Sequence, residues 1–175
     1  MTKIKRTAYV SMLLALAIAL NIAENMFIPE MPFGIRFGLA NIISLITINL
    51  FSQKEMLLVN VLRVFIANLI CGTIFGTRFF IGLGGIILSS ISLLITNKLK
   101  CSTIFMSIVS AFLHTIGQIL VVCFIYNTIY MLSAIPLYVI SSIGTGILTG
   151  IIANLVLKRI KLWKLDLYHL VVQKI

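Results

Sequence analysis

Carboxylates are scarce in this sequence. Among 175 residues there are four, Glu24, Glu30, Glu55 and Asp166, and charged residues of both signs make up only 10% of the chain. A soluble domain is roughly a quarter charged, so this chain has too little charge to cover a water-facing surface. That excludes a soluble enzyme, a disordered regulator and a nucleic-acid-binding domain. Cysteine is also sparse: Cys71, Cys101 and Cys123 form no CxxC pair, and their odd number suggests no disulfide framework. They read as small apolar packing residues. No G-x-x-x-x-G-K-[ST] run occurs, so the chain has no phosphate-cradling loop of that kind with which to use ATP.

Apolar residues fill the space that charge leaves. They make up 61% of the chain, and the mean hydropathy is +1.17. The expected fold is an all-α integral membrane protein in a single domain, residues 1–175. A helix crosses the roughly 30 Å bilayer core with about 20 apolar residues. Six candidate spans satisfy or approach this, at about 7–28, 37–51, 56–74, 79–96, 103–126 and 133–157, with a basic tail at 158–175. The first follows Lys3, Lys5 and Arg6 and outlasts the apolar region of a signal peptide, so it reads as an uncleaved span.

The connections alternate in character. KIKR at the start, QKE at 53–55, NKLK at 97–100 and KRIKLWK at 158–164 are short and basic. PEMPFGIRFG at 29–38, GTIFGTRFF at 72–80 and YNTIYML at 126–132 are richer in Gly, Pro and aromatics. Eleven basic residues, Lys174 included, fall on the first side, against Arg36 and Arg78 on the second. Basic residues are retained on the cytoplasmic side, which accounts for the net charge of +10 and predicts both termini inside. The tail, with Trp163, Tyr168 and His169 among its Lys and Leu residues, reads either as a basic helix lying on the membrane surface or as a frayed end.

An ionisable group within a bilayer needs a partner, a cavity or a function. Glu24 lies near the outer end of the first span with Asn21 on the same face; it either lines an outward-facing pocket or is hydrated at the interface. Arg63, with Asn60 on its face, snorkels inward, joins a structural ion pair or meets a ligand. His114 and Gln118 are spaced i, i+4 and share a face, extended by Ser107 and Ser110, with Gly117 allowing close approach. That stripe suits a cavity wall or interhelical hydrogen bonding. The first outer loop, IPEMPFGIRFGLANI, carries Pro29, Pro32, Gly34, Gly38, Glu30 and Arg36 and ends near Asn41. It reads as a partial plug or as an ordinary turn with an ion pair. Small residues recur at Ala8, Ser11, Ala15, Ala19 and Ala23, at Gly85 and Ser89, and at Gly146 and Gly150. Such stripes let helices pack closely, and the Ala15–Ala19 face could instead dock a second protein.

Three segments carry a family resemblance: Glu24 followed by PEMPFGIRFGLANI, Arg63 followed by GTIFG and the Gly84–Gly85 pair, and HTIGQ at 114–118. In these the chain resembles the heptaprenyl diphosphate synthase component I family, also called the Gx transporter family. That family resembles the substrate-binding S components of energy-coupling-factor transporters. The resemblance implies a six-helix S-component-like bundle in a bacterial cytoplasmic membrane. It also implies an outward pocket for a vitamin, flavin, quinone or isoprenoid, and a first-helix face, here Ala15 and Ala19, that docks a coupling protein served by partner ATPases. Substrate contacts then fall to Glu24, Glu30, Arg36, Asn41, Arg63, His114 and Gln118, with neither an intrinsic cofactor nor a metal.

The family name implies polyprenyl diphosphate synthesis, but a magnesium–diphosphate site needs carboxylates beside the phosphates, and the only Asp is Asp166 in the tail. The chain is therefore expected to be no enzyme on its own. The alternative expectation is a membrane scaffold beside a flavoprotein or prenyl synthase, for quinone- or flavin-linked extracellular electron transfer or for polyprenyl synthesis. Acid–base chemistry on a lipid headgroup by Glu24, Glu30 and His114 has no spacing motif behind it. Besides such proteins, the expected partners are membrane lipid and the small-molecule ligand, with no nucleic acid.

Overall fold

The structure is a computed structural model that describes residues 3–27, 38–127 and 135–172, without the side chains of residues 25, 27 and 161–172. Its described residues form six helices: α1 Lys3–Phe27, α2 Asn41–Leu50, α3 Gln53–Ile70, α4 Thr77–Lys98, α5 Thr103–Tyr126 and α6 Ile135–Val172. Four of them, α1, α4, α5 and α6, are long and apolar enough to cross a membrane. The chain is a multi-pass helical membrane protein.

The remaining two helices depart from six equal spans. α2 has 10 residues, a rise of roughly 15 Å, about half a bilayer core. It stops where Phe51 leaves helical geometry and Ser52 turns extended. Ser52 precedes α3 and donates its hydroxyl to the carboxylate of Glu55 three residues on. The QKE segment, expected as a loop, is therefore the first turn of α3. Lys54, Glu55 and Arg63 make α3 more charged than its neighbours. Arg6 of α1 pairs with Glu55 at 2.5 Å, which puts the first turns of α1 and α3 at the same end of the bundle. At the other extreme, α6 continues unbroken through the basic segment to Val172, rather than ending near residue 157.

Close approach of backbones fixes the α4–α5–α6 half. A Cβ on Gly117 would come within 2.3 Å of the Gly84 carbonyl oxygen and 3.1 Å of Gly85 Cα, so α4 and α5 cross backbone to backbone. Gly146 and Gly150 do the same for α6, where a Cβ would meet Ile108 Cα at 2.8 Å and Ile104 Cα at 3.0 Å. A hydrogen bond of 2.9 Å between the Ser107 and Thr149 hydroxyls spans that crossing. Without a hydrophobic drive between helices in lipid, such small-residue seams and hydrogen bonds are the main source of cohesion.

The largest apolar cluster lies toward the Arg6–Glu55 end. It joins Val10, Leu13 and Ala17 of α1 with Ile43, Leu45 and Ile46 of α2, Met56 and Val59 of α3, Leu93, Met106, Ala153 and Leu157. One turn further along α3 comes a polar node. Asn60 accepts from Ser44 of α2 and donates to Ser90 of α4 at 3.0 Å, both buried. Beyond it, Val64, Phe79 and Ile86 form a second apolar group, with Phe65 and Phe75 edge-on to Phe79. The polar cavity opens between these layers.

Candidate binding cavity

Arg63 is the starting point, because it is the most costly residue to bury. Its side chain is 2% exposed, so it does not snorkel to the surface. Nη2 donates to Asn41 Oδ1 at 3.3 Å. Asn41 is the first residue of α2, and the turn before it returns the Asn41 N–H to the Gly38 carbonyl at 2.9 Å. Gly38 has φ +77°, a left-handed conformation that favours glycine. Its N–H donates to Glu24 Oε1 at 2.6 Å. A short chain of contacts thus runs from α1 through the head of α2 to α3: Glu24, Gly38, Asn41, Arg63.

α5 closes the other side. Gln118 Nε2 lies 3.0 Å from His114 Nε2 along the helix. The imidazole is held between two glycines. A Cβ on Gly85 would fall 2.7 Å from its Cε1, and one on Gly38 would fall 3.3 Å from its Cδ2. Ser107 and Ser110 lie on the same stripe and are buried, but Ser107 turns to α6.

Asn21, Glu24, Gly38, Ala40, Arg63, Val64, Gly82, Ile86, His114 and Gln118 line one cavity with about 300 Å³ of empty space, including the part open to its surroundings. Of the residues expected to contact substrate, Glu24, Arg63, His114 and Gln118 are brought together here. Asn41 stands just behind the wall. Glu30 and Arg36 lie outside the described residues, as does the loop read as a plug. Asn60 does not face the cavity, being taken up by Ser44 and Ser90. Ala15 and Ala19 lie elsewhere, on the exposed face of α1, opposite the buried Leu13 and Ala17.

Gly38 and Gly82 were not among the expected contacts, and neither were Val64 and Ile86. Gly38 had a signal, a glycine beside a polar loop. Val64 and Ile86 had none, since an apolar wall residue and an apolar core residue look alike in sequence. Among the described residues no three His, Cys, Asp or Glu side chains gather in a way that could hold a metal ion. The wall offers one carboxylate, one guanidinium, amides and an imidazole in an apolar surround.

The comparison with known families is decisive for residues 13–156, which match the model described as heptaprenyl diphosphate synthase component I. The chain belongs to that family. No curated protein and no solved structure matches it. The matched range takes in all four described polar wall positions of the expected site and both α1 alanines.

Proposed function

We propose that this member of the heptaprenyl diphosphate synthase component I family is a membrane subunit that captures a small molecule in the Glu24–Arg63–His114–Gln118 cavity and passes it across or along the membrane. The observation that carries this reading is convergence. Polar side chains from α1, α3 and α5 meet in one cavity, although each was costly to place within a bilayer. A few placed polar groups in a mostly apolar cavity is the usual composition of a ligand site.

On this reading the protein acts as an S-component-like subunit, open to the outside, in a bacterial cytoplasmic membrane with both termini within the cell. It performs no chemistry itself. The exposed Ala15–Ala19 face of α1 would receive a coupling protein, and partner ATPases would supply energy. Mass spectrometry of molecules retained by the detergent-purified protein tests the capture step. A discrete small molecule is expected with the wild type and is expected to be lost with Gly85→Leu, whose side chain would drive into His114. Lipid and detergent alone in both samples would end this reading.

The family name favours a second reading, a non-catalytic membrane component that holds a prenyl diphosphate synthase, or a flavoprotein, beside its lipid-soluble substrate. Its signature is a soluble partner recovered equally well by the wild type and by His114→Ala.

A further inference from the structure

Gly82 is a wall residue whose missing side chain the fold does not explain. It lies inside α4 and is buried, and its backbone is not left-handed. A helix gives up about 1 kcal/mol at a glycine relative to alanine, so a buried helical glycine needs a reason. Gly84, Gly85, Gly117, Gly146 and Gly150 have one, since a Cβ on each would strike a residue of a neighbouring helix. Gly144 has none, but it is exposed. A Cβ on Gly82 would meet nothing within 4 Å among the described residues. Neither backbone conformation nor helix packing therefore calls for glycine at this position. What its missing side chain leaves is room in the cavity, which Gly82 lines directly.

The side of the cavity to which that room belongs is apolar. α1, α3 and α5 each give the wall a polar side chain, Glu24, Arg63 and Gln118 among them, whereas α4 gives only Gly82 and Ile86. Those two are four residues apart and so share one face of α4. His114 shows how closely a ring can approach this helix where the backbone is bare. It lies against Gly85, where a Cβ would fall 2.7 Å from its Cε1. One turn earlier, Gly82 leaves the same kind of approach open from within the cavity. An apolar group of a bound molecule placed there is removed from water by Ile86 and the α4 backbone, which favours binding.

We infer that Gly82 is a specificity-determining position. The apolar part of the captured molecule rests on the bare α4 backbone there, beside Ile86, and its hydrogen-bonding atoms lie on the opposite edge, toward α1, α3 and α5. The class this fits is a small molecule with one hydrocarbon or ring face and polar groups on the other side, as against a molecule polar all round, such as a sugar. The inference rests on the capture reading and narrows it.

Gly82→Ala separates this role from a structural one, because the added methyl meets no atom of the described residues. The full-length variant and the wild type are purified in detergent and compared by size-exclusion elution and by mass spectrometry of the small molecules they retain. Gly82→Ala is expected to elute as the wild type does. It is expected to retain about tenfold less of the molecule that the wild type retains, as a methyl inserted into a packed space does. That molecule is expected to carry a hydrocarbon or ring face. In a second measurement, Gly82→Cys is treated with methyl methanethiosulfonate, a small neutral thiol reagent. Its intact mass is expected to show one methylthio group more than the treated wild type, which reports open space at this position whether or not a molecule is retained. Aggregation of Gly82→Ala would make the glycine a packing residue and overturn the inference. Undiminished retention by Gly82→Ala, a retained molecule that is polar all round, or no additional methylthio group on Gly82→Cys would also overturn it, and each leaves the capture reading standing. A wild type that retains nothing but lipid and detergent ends both.

Discussion

His114 lies against Gly85 so closely that a Cβ added to Gly85 would stand 2.7 Å from imidazole Cε1 and 2.9 Å from Nδ1. Gly38 bounds the ring on its other side. The imidazole is therefore bounded on two sides, with the cavity on its remaining one. Gly85→Ala is expected to displace His114 and break its contact with Gln118. Overpacking of this kind typically costs about 1–3 kcal/mol, read as a lowered unfolding midpoint in detergent, together with loss of any retained ligand. An unchanged midpoint with unchanged retention would show that the ring is not confined.

The α4–α5 crossing makes a sharper prediction, because there the obstacle is backbone. Gly117→Ala would place a methyl 2.3 Å from the Gly84 carbonyl oxygen, which only a separation of the two helices relieves. Its destabilisation is expected to exceed that of Gly85→Ala. Gly144 serves as the internal control, since a Cβ there meets nothing within 4 Å. Gly144→Ala is expected to be neutral or stabilising by up to about 1 kcal/mol, the helix-propensity difference. Thermal melts of the three variants side by side give the order directly.

These glycines show what could be read in the sequence and what could not. The i, i+4 spacing of His114 and Gln118 announced a shared face, and the small-residue steps at Gly85 and at Gly146–Gly150 announced close helix packing, because both follow from helical geometry within one segment. Which segment each face would meet was not legible. Nothing local to Asn60 says that Ser44 and Ser90 will claim it, while Arg63 one turn away goes to Asn41. The short second helix was visible as a short apolar run. Its end at Phe51 and the start of α3 at Gln53 were not, because QKE reads equally as a loop and as a first helical turn. For the tail, the helical one of its two readings agrees with α6, which runs on through KRIKLWK, while the stretch apolar enough to cross a membrane ends at Ile160, near the expected end at 157.

Asn60 joins three helices, accepting from Ser44 and donating to Ser90 and Met56 Sδ. Asn60→Leu removes both bridges and leaves two buried hydroxyls to find new partners. The expected cost is about 1–3 kcal/mol, with ligand retention reduced less than by Gly85→Ala, since Asn60 does not line the cavity. The comparison of melting midpoint with retention separates the two roles. Equal damage to both in the two variants would mean that the node and the cavity are one unit.

The last prediction concerns the end of the bundle away from the cavity. The Ser52 hydroxyl, with the Glu55 backbone N–H and Arg6 adding to it against partial burial, holds the Glu55 carboxyl below its ordinary 4.5. A depressed native value means that the unfolded chain takes up the proton first. The stabilisation is therefore fully present above the ordinary carboxylate range and is lost as pH falls through the depressed native value. Arg6 is about half exposed and Glu55 is 19% exposed, so the pair contributes no more than about 1 kcal/mol. Glu55→Gln is expected to lower the melting midpoint slightly at pH 7. Below pH 4 the wild type is expected to fall toward the variant, so that the two curves converge. A gap of the same size at pH 7 and at pH 3 would mean that ionised Glu55 does not hold the starts of α1 and α3 together.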